Sequence, residues 1–270
     1  MSTAQKIIKY LAIAFAFSII FSIISSILFS FSLLTDFYDS DDEDKVSSEL
    51  KTERIRGNIL GLDIDTGGVE VNILQGNELK IETNNKYIKK SVRNNVLHIT
   101  EKKHNFFKKK NLGKLNIYVP SDYNFRSVDI DSGAGVINID YLSADKLDFD
   151  FGAGKVDIKY INVLDEASID TGAGKLSIKD GIINDLDLDV GVGESAITAK
   201  LTGDSDISSG VGKLTINVLG SSNDYKVLVD KGIGSFKIDG SDVSDDTVFG
   251  NGYNKIDVDS GVGSVSINFR

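Results

Sequence analysis

A glycine phrase that recurs about every 20 residues is the feature that most limits how this chain can fold. The phrase is clearest in LDFDFGAGKVDI and ASIDTGAGKLSI, whose first glycines are Gly152 and Gly172. Further copies begin their glycine pairs at Gly133, Gly191, Gly210, Gly232 and Gly261, and Gly67 marks an outlying relative. From Gly133 onward the spacings are 19, 20, 19, 19, 22 and 29 residues. Such a period predicts one supersecondary unit stacked on copies of itself.

Apolar and polar side chains alternate on both sides of each glycine pair. Apolar residues stand three and five positions before the first glycine, as Phe149 and Leu147 do, and four and six positions after it, as Val156 and Ile158 do. This alternation predicts two short strands with one buried face, joined at a corner that needs positive φ or close backbone approach. An antiparallel meander also alternates, but it does not require the same residue in every turn. The sequence therefore predicts an all-β fold, a single-stranded parallel β-helix (β-solenoid) of ~20-residue coils stacked ~4.8 Å apart.

An uncharged run from Tyr10 to Leu34 precedes the repeats. Its 25 residues would span ~37 Å as a helix, which is enough for a bilayer core of ~30 Å. A cleaved signal peptide is the alternative, but its apolar region is usually shorter and ends in a small-residue cleavage site. We expect residues 1–34 to form a cytoplasmic stub and a retained transmembrane signal-anchor. Because Lys6 and Lys9 precede the run, the expected topology is a single-pass membrane protein with an extracytoplasmic C-terminal domain.

Charge divides the rest of the chain. Residues 35–53 are expected to form an acidic linker, since residues 36–49 hold seven acidic residues and one lysine. Residues 54–270 are expected to form one domain, with irregular coils over 54–119 and regular repeats over 120–270. Residues 78–119 carry 11 Lys or Arg against 3 acidic residues, whereas residues 120–270 carry 13 basic and 26 acidic residues. The absence of cysteine excludes disulfides and thiolate metal sites.

The Val119-Pro120 junction and the phrases IDSGAGVINI, FDFGAGKVDI and IDTGAGKLSI resemble the bacterial DUF4097 family of adhesin domains. The resemblance covers residues 54–270. It implies a single-stranded parallel β-helix, often after an N-terminal membrane segment, with roles in envelope stress or at the cell surface. It implies no established reaction and no catalytic residues, and the word "adhesin" is itself an inference from the fold.

Two columns of aspartates precede the glycine corners. The near column, two residues before the first glycine, holds Asp65, Asp131, Asp150, Asp170, Asp189, Asp230 and Asp259. The far column, four residues before it, holds Asp63, Asp129, Asp148, Asp187, Asp206 and Asp257. Alternation turns both columns outward, where stacked carboxylates ~5 Å apart repel one another.

The favoured interpretation is that each near aspartate caps its corner as an Asx-turn. The alternative is a weak cation ladder, for which the candidate ligands are Asp129, Asp131, Asp148, Asp150, Asp187 and Asp189. Lys155, Lys175 and Lys213 are expected to offset some of the negative charge.

Other site patterns are weaker. Calcium-binding solenoids of the RTX type need an aspartate after each glycine pair, and only Asp157 stands there. The run Gly191–Ala196 matches a dinucleotide fingerprint but lacks the helix that such a site needs, so no cofactor is predicted. Asp148 and Asp150 imitate a glycosidase pair but belong to the repeat. His98 and His104 are interpreted as exposed polar residues.

Adjacent aromatic and basic side chains occupy one predicted turn and form a candidate contact to anionic lipid or a wall polymer: Phe106, Phe107, Lys108, Lys109 and Lys110. Two functions of different class remain. We expect a non-enzymatic, membrane-anchored, adhesin-like module that binds or scaffolds cell-envelope components and does not bind nucleic acid. The alternative is an envelope polysaccharide-active enzyme on the same β-helix scaffold.

Overall fold

The computed structural model describes residues 49–102 and 113–270, and these residues form an all-β fold as predicted. The strands are β1 Lys51–Arg54, β2 Gly61–Thr66, β3 Glu70–Gly76, β4 Lys80–Thr83, β5 Ile88–Arg93, β6 Val96–Glu101, β7 Lys114–Pro120, β8 Phe125–Ile139, β9 Leu142–Ile158, β10 Ile161–Ile178, β11 Gly181–Asn184, β12 Leu186–Thr202, β13 Asp204–Val218, β14 Tyr225–Ile238, β15 Ser241–Asp242, β16 Thr247–Gly250 and β17 Asn254–Phe269. A short 3₁₀ turn, Ser222–Asp224, precedes β14.

Three predicted segments lie wholly or mostly outside the described residues, namely the signal-anchor over residues 1–34, the acidic linker over residues 35–53, of which 35–48 are not described, and the turn over residues 106–110. Among the residues that are described, no helix is long and apolar enough to span a bilayer.

The repeats stack as parallel coils. β8 pairs with β9, β9 with β10, β10 with β12 and β12 with β13, each in parallel register. Each long strand bends at its glycine corner, so that one straight segment lies before the corner and one after it. A third segment completes the coil, as β11 does where it pairs with the start of β10 and the end of β12. This pairing is that of a β-solenoid.

The inward columns are those that the alternation predicts. Leu147, Phe149, Val156 and Ile158 are each at most 4% exposed. They belong to one continuous apolar cluster that reaches from the first coils to the last. Burying a side chain of this size stabilises the fold by ~1.5–3 kcal/mol, so the repeated columns supply most of the stability. Two positions depart from the pattern, since Ser195 and Ser205 occupy core columns and are each 2% exposed.

The two glycines of a corner are required for different reasons. Gly154, the second glycine of its pair, has a φ of +128°, a conformation that side chains disfavour. Gly152, the first, does not lie in that region, but a Cβ there would approach the carbonyl oxygen of Gly133 to 2.3 Å. The prediction that the corners need positive φ or close coil contact is confirmed at both positions.

The stacking order differs from the chain order at both ends of the solenoid. β17, the last strand in the chain, pairs with β13 on one side and β14 on the other. At the opposite end β2 lies between β6 and β8, and β3 lies between β7 and β8. The glycine corners show the same order, because a Cβ on Gly261 would meet the carbonyl of Gly210 and one on Gly232 that of Gly261. At the N-terminal end the inner coil, with β2 and β3, comes earlier in the chain than the outer coil, with β6 and β7. At the C-terminal end the outer coil, with β14, comes earlier than the inner coil, with β17. A chain that wound steadily from one end to the other would have the opposite order at both ends.

Antiparallel strands cover the outermost coils. β4 and β5 pair with β7 and β6, and β1 adds to β4. At the other end β15 and β16 both pair with β14. An ion pair between Lys90 on β5 and Glu53 on β1 joins these two covering strands at the N-terminal end. Covering strands of this kind shield the outer coils from pairing with other chains.

Candidate functional site

Both aspartate columns exist, and strand pairing places them side by side on the outward surface of the segments before the corners. Asp129 stands opposite Asp148 on the next strand, and Asp131 stands opposite Asp150. We call the whole set the aspartate face. In stacking order its far column is Asp63, Asp129, Asp148, Asp187, Asp206 and Asp257, and its near column is Asp65, Asp131, Asp150, Asp170, Asp189, Asp259 and Asp230. Ser168 interrupts the far column and Leu228 ends it, whereas Ser208 interrupts the near column.

The near aspartates do not cap the corners. Among the hydrogen bonds of residues 49–102 and 113–270, no carboxylate of the near column accepts from a backbone N–H. The corner backbone bonds to the adjacent coil instead, as where Ala134 N donates to Gly67 O over 2.9 Å. The Asx-turn interpretation is therefore wrong. The physical reason is that the parallel ladder continues through the corner and leaves the aspartate side chain in solvent.

Few cations reach the aspartate face. At its N-terminal end Asp63 Oδ2 lies 2.7 Å from His98 Nδ1, and near the other end Asp257 Oδ2 lies 3.0 Å from Lys255 Nζ. His98, interpreted from the sequence as an exposed polar residue, is a strand residue whose side chain is 28% exposed and pairs with Asp63, and His104 lies outside the described residues. His98 ends the far column because strand β6 carries it directly opposite Asp63.

The lysines that were expected to offset the aspartate columns lie beyond the corner. Lys155 Nζ is 3.5 Å from Asp157 Oδ2, and Lys175 Nζ is 3.1 Å from Glu194 Oε2. Lys213 lies on the same side, in register with Glu194. That expectation is wrong because the glycine corner bends the strand between the near aspartate and the lysine five positions later, so that the two outward side chains stand on different surfaces.

Five carboxylates of the aspartate face have a raised pKa. Partial burial, followed by repulsion from neighbouring aspartates, raises the pKa of Asp129, Asp131, Asp170 and Asp187. For Asp230 the first cause of the raised pKa is the carboxylate of Asp259. Binding of protons or positively charged groups to the aspartate face therefore stabilises it.

The aspartate face is a repeated electrostatic surface. Within the described residues no three acidic or histidine side chains converge on a point that would hold a metal ion. Asp148 and Asp150 stand opposite Asp129 and Asp131 on β8, and Asp150 also stands opposite Asp170 on β10, so the two belong to the repeated columns. The dinucleotide-like run at Gly191 lies inside β12, where the backbone is strand on both sides of the corner.

Sequence reasoning missed one buried carboxylate. Glu101 is 6% exposed and accepts hydrogen bonds from Gly67 N over 3.0 Å, Gly68 N over 3.3 Å and Asn85 Nδ2 over 2.8 Å. Its oxygens accept hydrogen bonds from the backbone amides of a corner on which no further glycine corner is stacked. The sequence signal was the absence of a glycine pair after the strand phrase VLHITE.

These features define a class of protein: a β-solenoid whose coils turn at glycine corners and carry a repeated carboxylate face. The chain belongs to the DUF4097 family, described as Toastrack, whose model matches residues 59–232. The family resemblance seen in the sequence is thereby confirmed. A search of curated proteins finds no match.

Several solved structures are similar to the chain. One, from Clostridium sporogenes ATCC 15579, is provisionally described as a cell adhesion protein and has 16% identity, 82% coverage of this chain, 99% of its own and a TM-score of 0.36. A second, from Bacteroides fragilis NCTC 9343, is provisionally described as an adhesin, with 14% identity, coverages of 82% and 98% and a TM-score of 0.40. A third, from Parabacteroides distasonis ATCC 8503, is provisionally described as lipid binding, with 13% identity, coverages of 83% and 98% and a TM-score of 0.36.

Proposed function

We propose that the protein is a non-enzymatic, adhesin-like module that is anchored in the cell membrane and binds or scaffolds cell-envelope components. The observation that carries this proposal is the regularity of the aspartate face. The same two carboxylates recur on coil after coil, whereas a catalytic site needs a unique constellation of acid, base and binding groups. A regular surface suits a polymeric or multivalent partner, because each additional contact adds avidity without new chemistry.

The partner that suits the aspartate face is cationic. Columns of carboxylates with few lysines among them favour a protein or polymer that presents amines or guanidinium groups at strand spacing. Such a partner relieves the repulsion which, after partial burial, raises the pKa of Asp131. Its affinity should decrease as salt is added, since exposed charges are screened within about 8 Å at physiological ionic strength.

The proposed topology rests on the sequence of the N-terminal region. A signal-anchor over residues 1–34 would hold the solenoid outside the membrane on the acidic linker of residues 35–53. The segment from Phe106 to Lys110 would then supply a second contact, to anionic lipid or wall polymer. Protease added to intact protoplasts should digest the domain over residues 51–270, and protection of that domain would contradict the orientation.

A binding assay with matched variants tests the main proposal. Residues 49–270 are incubated with isolated envelope fractions and sedimented, and the supernatant is assayed for released reducing ends. We expect the Asp148→Asn, Asp150→Asn double variant to lose most of its binding. The control, Asp122→Asn with Asp180→Asn, removes two exposed charges outside the aspartate face and should bind like the wild type. Release of reducing ends by the wild type would favour the alternative function, a polysaccharide-active enzyme.

A further inference from the structure

The two ends of the solenoid carry opposite charge. The N-terminal end is built from residues 49–60 and 77–102, which hold nine Lys or Arg and five acidic residues. The C-terminal end is built from residues 239–253, which hold four aspartates and no basic residue. We call them the basic end and the acidic end. Opposite charge at the two ends of one molecule favours contact between different copies of it.

Each end also presents a strand with one unpaired edge. Among residues 49–102 and 113–270, β5 pairs only with β6, and β16 pairs only with β14. Val92 on β5 is 47% exposed and Val248 on β16 is 59% exposed, so neither end hides its apolar side chains completely. An accessible strand edge flanked by exposed apolar residues is a template for another strand.

We propose that a second copy of this chain docks head to tail, with β16 of one copy pairing with β5 of the next. Both strands run opposite to the solenoid strands that they cover, so β5 and β16 share one direction and would form a parallel pair. Ser91 is in line with the far column at one end, where it stands opposite His98, and Val248 is in line with it at the other end, where it stands opposite Leu228. Continuing the columns from copy to copy therefore places Val248 opposite Ser91.

The same register brings complementary side chains together. Asp246, which directly precedes β16, comes level with Lys89, an exposed cation of β5. Lys90 is held by Glu53 and is not needed for the contact. On the inward side Phe249 of one copy meets Val92 of the next, which covers apolar surface at both ends. Docking of two identical ends would instead oppose like charges, and the head-to-tail contact leaves a free end for further copies.

Cysteine cross-linking of the full-length chain in membrane vesicles tests the register, because the protein has no cysteine of its own. The Ser91→Cys, Val248→Cys double variant should give a ladder of dimers, trimers and larger species after mild oxidation. A mixture of the two single variants should give dimers only. The matched control, Ser168→Cys with Val248→Cys, places the first cysteine in the middle of the same column and should stay monomeric. Monomers from the Ser91→Cys, Val248→Cys variant, or dimers from Val248→Cys alone, would overturn the proposal.

Charge exchange in the cross-linking background provides the second measurement. Lys89→Glu and Asp246→Lys should each reduce the ladder about fivefold, since each opposes like charges on paired strands. Combining them in one chain should restore it, because the pair is merely reversed. Asp246 has a φ of +57°, so the melting temperature of each variant is recorded to separate backbone strain from lost contact. Loss of the ladder in both single variants without recovery in the combination would refute this docking register. The inference does not depend on the proposed envelope binding.

Discussion

Replacing Asp150 with asparagine should stabilise the solenoid, because Asp150 lies at the centre of the aspartate face. Asp131 and Asp170 stand directly opposite it on the two adjacent strands, and Asp148 lies two residues before it on its own strand. None of the ion pairs of the described residues includes Asp150. Asparagine keeps the shape of the side chain and removes only its charge.

The size of the gain follows from the spacing of the columns. Two unit charges ~5 Å apart repel by ~0.8 kcal/mol in water, and screening with a Debye length of ~8 Å reduces this to ~0.4 kcal/mol. Two column neighbours and the weaker repulsion from Asp148, ~7 Å away, together give ~1 kcal/mol. In a domain of this size, ~1 kcal/mol raises the melting temperature by ~2–4 °C.

Thermal melting of residues 49–270 at pH 7, followed by circular dichroism, measures the effect. Asp122→Asn is the matched control, since Asp122 is an exposed loop residue outside the aspartate face. Adding sodium chloride should shrink the difference between Asp150→Asn and the wild type, because the repulsion is screened. A melting temperature for Asp150→Asn at or below that of the wild type, with Asp122→Asn unchanged, would refute the reasoning. It would mean that the Asp150 carboxylate makes a favourable contact in the folded state.

Four further outcomes are expected. On acidification the melting temperature should first rise, because the raised pKa values of Asp129, Asp131, Asp170 and Asp187 make their ionisation costly. Protons relieve that cost as the pH falls toward the ordinary aspartate value of 3.8. The melting temperature should then fall, because Asp157, whose pKa Lys179 lowers, loses its stabilising charge below 3.8, and a steady decline from pH 7 would contradict this order. In urea, Gly154→Ala should cost at least ~2 kcal/mol more than Gly135→Ala, since their φ values match at +128° and +127° but the new Cβ would approach a carbonyl to 2.1 Å in one and 3.2 Å in the other. Cysteines at Thr215 and Ser266 should form a disulfide, whereas cysteines at Thr215 and Lys237 should not if β17 lies between β13 and β14. Millimolar calcium should raise the melting temperature no more than sodium chloride of equal ionic strength, and an excess above about 5 °C would support the cation ladder.

The body of the solenoid was predictable because its determinants lie within one repeat. Phe149 and Val156 point inward for the same local reason in every coil, and the aspartates alternate with them along the strand. Parallel stacking then follows, because it alone aligns identical residues from coil to coil. The fold class and the aspartate columns therefore required no knowledge of long-range contacts.

The turn-cap interpretation failed because the sequence does not show where a backbone amide finds its acceptor. An aspartate two residues before a glycine is typical of an Asx-turn. Here the strand continues through the corner and the adjacent coil supplies the acceptor, as Gly67 does for Ala134. The pairing of His98 with Asp63 was hidden for a similar reason, since it depends on β6 lying next to β2.

The coil order could not be read from the repeat, because every corner carries the same glycines and fits against any other. The signal was in the spacing, since Gly261 follows Gly232 by 29 residues and Gly133 follows Gly67 by 66. These longer intervals contain the covering strands, β15 and β16 at one end and β4 and β5 at the other. The extra length is needed because the chain skips one coil position in the stack, forms a covering strand, and fills the skipped position afterwards.

The reversed winding explains how the solenoid holds its own terminus. A chain end is usually the part of a domain that frays first. Here the C-terminal strand β17 hydrogen-bonds to β13 and β14 on its two sides, and Arg270 N still donates to Val218 O over 3.0 Å. The outermost coil is instead β14, an internal part of the chain, and β15 and β16 cover much of its outer edge. Fraying of β17 would break two ladders instead of one, whereas the outer edge of β14 is paired at residues 226–229 by β16 and at residues 237–238 by β15.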